Sequence, residues 1–264
     1  MSAQADTLDH CETISDRNID RVKGILAASM ETNSQPTRAR QSAAGEKSLM
    51  RILLTLTFVT GIVDAVSVLG FGRVFTANMT GNVVFLAFAV AGEAGFSMRR
   101  SLTALVAFLA GAVVGGRIGT HLGGTGRYFW LRTAVTGEAV LLIAAALTSF
   151  GFEVGSGIPA SRLYLIIALT AVAMGLRNAV VRRLAVPDLT TTVLTLTLTG
   201  IAADSTLAGG SNPRFGLRVA SVGLMFAGAA IGALSLRLGP APPLLLSGAL
   251  VLATIVGLSK GEQK

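Results

Sequence analysis

Cysteine and histidine are almost absent from this chain: Cys11 stands alone, and His10 and His121 are its two imidazoles. A single thiol excludes an intramolecular disulfide framework and any multi-cysteine metal site. Two distant histidines exclude a His-Glu-x-x-His zinc site, and neither a P-loop nor a Gly-x-Ser-x-Gly elbow is present. A catalytic triad has no base to draw on, and nothing calls for a metal or cofactor, so the chain reads as a non-enzyme. Charge is scarce too. Charged residues make up 14% of the sequence, against about 25% in a soluble domain. Too few ionic side chains remain to cover a surface that faces water.

The charge that exists is unevenly spread. Asp6, Asp9, Glu12, Asp16, Asp20, Glu31 and Glu46 all fall in residues 1–48. That polar stretch reads as a solvated tail, with no more than a weak amphipathic helix over Ile14–Met30. Its acidic start lacks the basic and apolar regions of a signal peptide. From Leu49 onward, long apolar runs alternate with short links bearing Gly and Arg, and the mean hydropathy of the chain is +0.66. Such runs predict several membrane spans, each of about 20 apolar residues. The net charge of +8 is no nucleic-acid footprint. The arginines sit at the ends of apolar segments, where positive-inside topology puts them, and form no clustered basic face. The partner this composition implies is a lipid bilayer.

Six segments are long enough to span: Leu49–Leu69, Leu102–Thr120, Ala134–Phe150, Leu163–Leu184, Leu217–Leu238 and Leu244–Leu258. Asn82–Ala91 and the threonine-rich Thr190–Ile201 are too short to cross and suit re-entrant or broken helices. These two short segments occupy corresponding places in an internal repeat. Gly61-Ile-Val-Asp64-Ala65 aligns with Gly175-Leu-Arg-Asn178-Ala179, and Thr76 then falls on Thr190. Further on, Gly111-Ala-Val-Val-Gly115 matches Gly228-Ala-Ala-Ile-Gly232, and Gly137-Glu-Ala-Val matches Gly248-Ala-Leu-Val. The order is kept and the offset is nearly constant. The domains expected are therefore the tail, 1–48, a membrane repeat over 49–160 and a second over 161–260.

Arginine placement weighs the topologies. Eight full spans with the N-terminus in the cytoplasm would put Arg73, Arg117, Arg127, Arg132, Arg177, Arg182, Arg183 and Arg237 outside. Re-entrant short segments leave only Arg73, Arg99, Arg100, Arg162 and Arg237 there, as the positive-inside rule favours. The expected fold is thus an all-α polytopic membrane protein with an internal duplication, six full spans and two short re-entrant helices; eight spans are the alternative. Three spans per half give the halves opposite orientation, the inverted-repeat plan of many secondary transporters.

The polar residues inside this apolar frame are the candidate site. Asp64 lies within a span, where a carboxylate costs about 2.5–3.5 kcal/mol on insertion scales. Thr76, Asn78, Thr80 and Asn82 crowd the start of the first short helix, whose free N–H groups can hold an anion or polar solute. The second half offers Arg177, Asn178 and Thr190, and an Asp64–Arg177 pair across the two halves would neutralise both charges. The alternative is structural: Asp64 caps the helix break and binds nothing. Glu138 is expected near an interface, and Asp204 at a water-facing end. Gly111, Gly115 and Gly119, echoed by Gly228 and Gly232, form ridges of small residues for close helix packing, between halves or between subunits of a homo-oligomer.

The segment Gly61-x-x-Asp64-Ala65, the run Val-Phe-Thr-Ala-Asn-Met-Thr-Gly-Asn over residues 74–82, and Met174-Gly175-x-x-Asn178-Ala179 together resemble the YoaK-like family of bacterial inner-membrane proteins. The resemblance covers roughly Leu49 to Leu258. It implies a multi-pass inner-membrane location and a common fold, and brings no substrate, because the family has no known function. Where the family pattern commonly has Gln before the second Asn, this chain has Arg177. The functions expected are transport or channel activity for a small polar or ionic solute, or a scaffold or assembly role through glycine-rich helix faces.

Overall fold

A computed structural model describes residues 45–121, 127–151, 160–184 and 194–262. The polar tail before residue 45, and with it Cys11, lies outside the described residues, as does Thr190. The compact unit is Ser48–Gln263.

Among the described residues the secondary structure is eight α-helices with two short 3-10 turns and no strand. They are α1 (Gly45–Gly70), α2 (Met79–Val90), α3 (Met98–His121), α4 (Arg127–Thr148), α5 (Ala160–Leu184), α6 (Leu194–Ala203), α7 (Phe215–Ser235) and α8 (Ala241–Glu262). Five helices are long and apolar enough to cross a membrane: α1, α3, α4, α5 and α7. With the long apolar faces described below, this is an all-α polytopic membrane fold. At 12 and 10 residues, α2 and α6 are about 18 and 15 Å long, well under the ~30 Å hydrocarbon core. The ends of α4 and α8 extend beyond the apolar runs. In α8, Pro242 and Pro243 sit in the first turn, where a missing N–H costs no helical bond. Extending α4 back to Arg127 matters more, because it draws Glu138 into the middle of a helix.

Lipid tails are as apolar as leucine, so burial of apolar surface does not drive these helices together; close backbone approach does. Glycine makes that approach. Beside Gly61, a Cβ would lie 2.3 Å from the Met225 carbonyl oxygen and 2.8 Å from the Ala229 nitrogen. Beside Gly175, it would lie 2.0 Å from the Phe108 oxygen and 2.9 Å from the Ala112 nitrogen. From the facing helices, a Cβ on Gly228 would meet the Phe58 oxygen at 2.0 Å, and one on Gly111 the Val172 oxygen at 2.1 Å. Gly232 faces Ile62 and Ala65 as Gly115 faces Leu176 and Ala179. So α1 lies along α7, and α5 along α3, through the same arrangement of atoms.

These contacts also give helix directions. Contact positions rise together along α1 and α7, and along α3 and α5, so each pair is parallel. α5 runs against α1, since Arg177 bonds Leu56 while Leu49 and Leu184 line one end of their shared crevice. α1 and α3 are therefore antiparallel, as are α5 and α7. Each short helix sits in a connection that begins and ends at the same end of the bundle.

Two apolar clusters fill the interior. One joins Leu53, Val59, Leu131, Leu142 and Met174; the other joins Ile62, Val66, Phe71, Ile166 and Leu244. Hydroxyls within the spans bond back to carbonyls one turn earlier, as Thr57 does to Leu53 and Thr170 to Ile166, and so need no water. The outward faces of α3 and α7 are lined by exposed Val106, Leu109, Val113, Phe226 and Leu234, a surface suited to lipid.

Candidate functional site

The run that follows α1 folds into a compact hairpin. α1 ends at Gly70, and the turn uses Gly72 with φ +85° and Arg73 with φ +57°. The first is natural for glycine; the second is uncommon for a residue with a Cβ. The chain then runs back along α1 before α2 begins. Asn82, fully buried on α2, holds this arm from the side. It accepts from the Phe75 N–H at 2.9 Å and donates to the Phe75 carbonyl at 2.5 Å. One amide side chain thus satisfies both backbone groups of a residue that has no helical partner. Gly81 leaves room for the Phe75 ring, which would stand 2.5 Å from a Cβ there. Phe85 stacks on Phe75 and packs on Phe96, and the Arg73 guanidinium lies 5.4 Å from the Phe96 centroid. Arg100, at the start of α3, donates to the Gly72 carbonyl at 3.3 Å. The hairpin closes where it opened.

Its inner end meets Asp64. Six residues before the end of α1, this carboxylate lies about 9 Å deeper along the helix. Asp64 is buried, and its Oδ1 accepts the Ala77 N–H at 3.1 Å. The carboxylate thus takes up a backbone N–H of the arm, two residues before α2 begins. Thr76, the residue before Ala77, is fully buried, and its hydroxyl oxygen has no hydrogen-bond partner among the described residues.

The second polar centre joins α1, α4 and α5. Arg177 donates from Nη1 to the Leu56 carbonyl and to Thr60 Oγ1, both at 2.8 Å, and from Nη2 to Glu138 Oε1. Arg177 and Glu138 are both buried, at 2% exposure each. Arg177 Nε has no partner among the described residues. The pair closes one end of a crevice of about 10 Å³ lined chiefly by apolar side chains, Leu53, Leu131 and Val181 among them. That is room for about one water.

Among the described residues the anticipated Asp64–Arg177 ion pair is absent. Register explains it: Arg177 faces Leu56 and Thr60, about two turns and one turn away from Asp64 on α1. Glu138 takes its place. With α4 starting at Arg127, Glu138 is eleven residues into the helix rather than near an interface. Thr60 has no distinguishing mark in the sequence, since its role depends on which helix faces it.

Of the other candidates, Asn78 and Thr80 are exposed, and Asn78 precedes α2 without a side-chain cap bond. Asn178 is half-buried and donates to the Met174 carbonyl on its own helix. Gly111, Gly115, Gly228 and Gly232 lie in the α3–α5 and α1–α7 crossings, and Gly119 lies against the Arg183 side chain. Asp204 is half-exposed and pairs with Arg218 at 2.7 Å near the start of α7. Among the described residues, no three of His, Cys, Asp and Glu come together to hold a metal ion.

Over residues 52–257 the chain matches the family described as "Protein of unknown function (DUF1275)". The UPF0700 transmembrane protein YoaK of Bacillus subtilis (strain 168) is 34% identical over 167 residues, covering 62% of this chain and 69% of that protein. No solved structure matches.

Proposed function

The chain belongs to the DUF1275, or YoaK-like, family of membrane proteins of unknown function, and from that premise we propose that it is a transporter- or channel-like protein for a small polar or ionic solute. In this reading it is a duplicated, inverted repeat of six full spans in a bacterial inner membrane, with its N-terminus in the cytoplasm and no enzymatic activity. The duplication is supported by the matched crossings, in which Gly61 and Gly175, Gly111 and Gly228, and Gly115 and Gly232 meet equivalent atoms. Inversion is supported by the antiparallel course of α1 and α5, the first helices of the two halves. The six-span count is supported by the antiparallel α1–α3 and α5–α7 pairs. The orientation rests on arginine placement.

The observation that carries the functional reading is the set of ionisable side chains buried where the halves meet. Asp64, Glu138 and Arg177 stand within helices of a bilayer protein, and Asp64 holds the N–H of Ala77 in the non-helical arm between α1 and α2. Such groups are costly in lipid and mark solute or proton pathways. A scaffold acting through its glycine faces is less well served, because Gly111, Gly115, Gly228 and Gly232 are already occupied by helices of the same chain.

Water access tests the reading. In a Cys11→Ser background, Thr76→Cys should react in intact membrane vesicles with a small, membrane-impermeant thiol reagent from at least one face. A site that conducts a solute must open to water. A cysteine at 76 inert from both faces, in a protein that remains folded, would remove transport and leave the polar residues a structural role.

A further inference from the structure

We propose that Asp64 and Thr76 form an oxygen-lined site for one small positive charge, a monovalent alkali cation or a proton. The inference deepens the transport reading, and rests on it only in calling that charge the solute or its coupling ion.

Two unmet valences define the site. Asp64 spends Oδ1 on the Ala77 N–H, while among the described residues no hydrogen bond reaches its Oδ2. Thr76, separated from that N–H by a single peptide bond, buries a hydroxyl with no partner. Buried polar groups without partners are rare, and an unfilled ion or water position is one of the few explanations for them. Here the Ala77 N–H bond and the arm that Asn82 clamps in place hold the carboxylate one residue along the chain from that hydroxyl.

Charge gives the sign of the ligand. Asp64, Glu138 and Arg177 sum to one negative charge in the interior. Arg177 cannot cancel both acids, because its guanidinium is already held by Glu138, Leu56 and Thr60. Among the described residues, the other elements around α1 bring no further cation to Asp64. The arm and α2, residues 74–90, hold no ionisable side chain. On α7, Arg218 is held by Asp204 and the Gly200 carbonyl; on α3, Arg100 reaches Gly72. An anionic solute would face the carboxylate, whereas one positive charge completes it.

Donor type narrows the class. A carboxylate and a hydroxyl are hard oxygen ligands, suited to alkali ions and protons and not to metals that favour sulfur or imidazole. A single carboxylate is also too few for a divalent cage such as that of calcium.

A carbodiimide probe separates the outcomes. Dicyclohexylcarbodiimide partitions into apolar interiors and modifies carboxyl groups that are protonated and cation-free. The purified full-length protein in detergent is labelled in sodium or in choline at equal ionic strength, from mildly acidic to alkaline pH. Modification of Asp64 is read by mass spectrometry. Protection by sodium of about tenfold or more, the change one pH unit brings to a titrating group, identifies an alkali-cation site. Loss of labelling with rising pH and no sodium effect identifies a proton site. Labelling that ignores both sodium and pH, or is absent throughout, would make Asp64 a fixed structural cap and overturn the proposal. Cation-dependent labelling with Thr76→Cys sealed from water on both faces would keep the site and remove transport. Water access without cation dependence would remove only the site.

Discussion

Adding a single methyl group at Gly175 is expected to drive two helices apart. The Cβ of Gly175→Ala would lie 2.0 Å from the Phe108 carbonyl oxygen and 2.9 Å from the Ala112 nitrogen. Both are backbone atoms inside α3, so no side-chain rotation relieves the overlap. Overpacking of a tight interior costs about 1–3 kcal/mol, and a rigid backbone clash belongs at the top of that range or beyond. Gly61→Ala should behave alike, since its Cβ would meet the equivalent oxygen of Met225 at 2.3 Å. Gly116, one position from the crossing, has nothing within 4 Å of an added methyl. Gly116→Ala should therefore be neutral, or stabilising by about 0.5–1 kcal/mol through better helix propensity. Thermal unfolding midpoints in detergent check all three. If Gly61→Ala were silent while Gly175→Ala unfolded the protein, the two crossings would not be equivalent.

Removing Glu138 alone should be at least as damaging. Glu138→Leu strands the buried Arg177 guanidinium without its ion-pair partner, and breaking a buried ion pair from one side costs about 3–5 kcal/mol. Arg177→Met strands Glu138 in the same way. The double variant, with both charges replaced by apolar side chains of similar size, should recover most of the lost stability, because buried pairs are often neutral against hydrophobic replacements. The double-mutant cycle is therefore strongly non-additive, and unfolding midpoints of the four proteins measure it. Simple additivity would mean that Arg177 and Glu138 do not depend on one another.

Much of this fold is written locally, in run length. The long apolar stretches and the two short ones appear in the sequence because a helix must match the bilayer, whatever its neighbours. Glycine spacing likewise marks Gly111, Gly115, Gly228 and Gly232 as contact points before any fold is known. It does not tell which helix fills the groove, and here the partners of α3 and α7 are α5 and α1, each drawn from the opposite half of the chain. The ion pair shows how a small local shift hides a distant contact. Thr133 and Thr136, with Arg132 before them, make the start of α4 look like a membrane edge, so Glu138 reads as interfacial. The helix extends to Arg127, and the same residue becomes the buried partner of Arg177. Asp64 is half legible: a carboxylate within a span needs a donor, but that the donor is the Ala77 N–H depends on the hairpin. Asn82 belongs with it. Its amide fits both backbone groups of Phe75, a match that residue type alone cannot announce.

The central claim is that α2 and α6 dip without crossing, so that the two halves lie inverted in the bilayer. Side-specific labelling of two single cysteines in a Cys11→Ser background tests it most directly. Ala94, in the link between α2 and α3, and Ser211, in the link between α6 and α7, are both exposed positions. Six spans put Ala94→Cys and Ser211→Cys on opposite faces of the membrane, whichever way the protein is oriented, and positive-inside placement puts position 94 outside. Eight spans put both on the same face. Labelling of the two cysteines from opposite sides is the predicted result, and labelling from one shared side would contradict the inverted repeat and the site built on it.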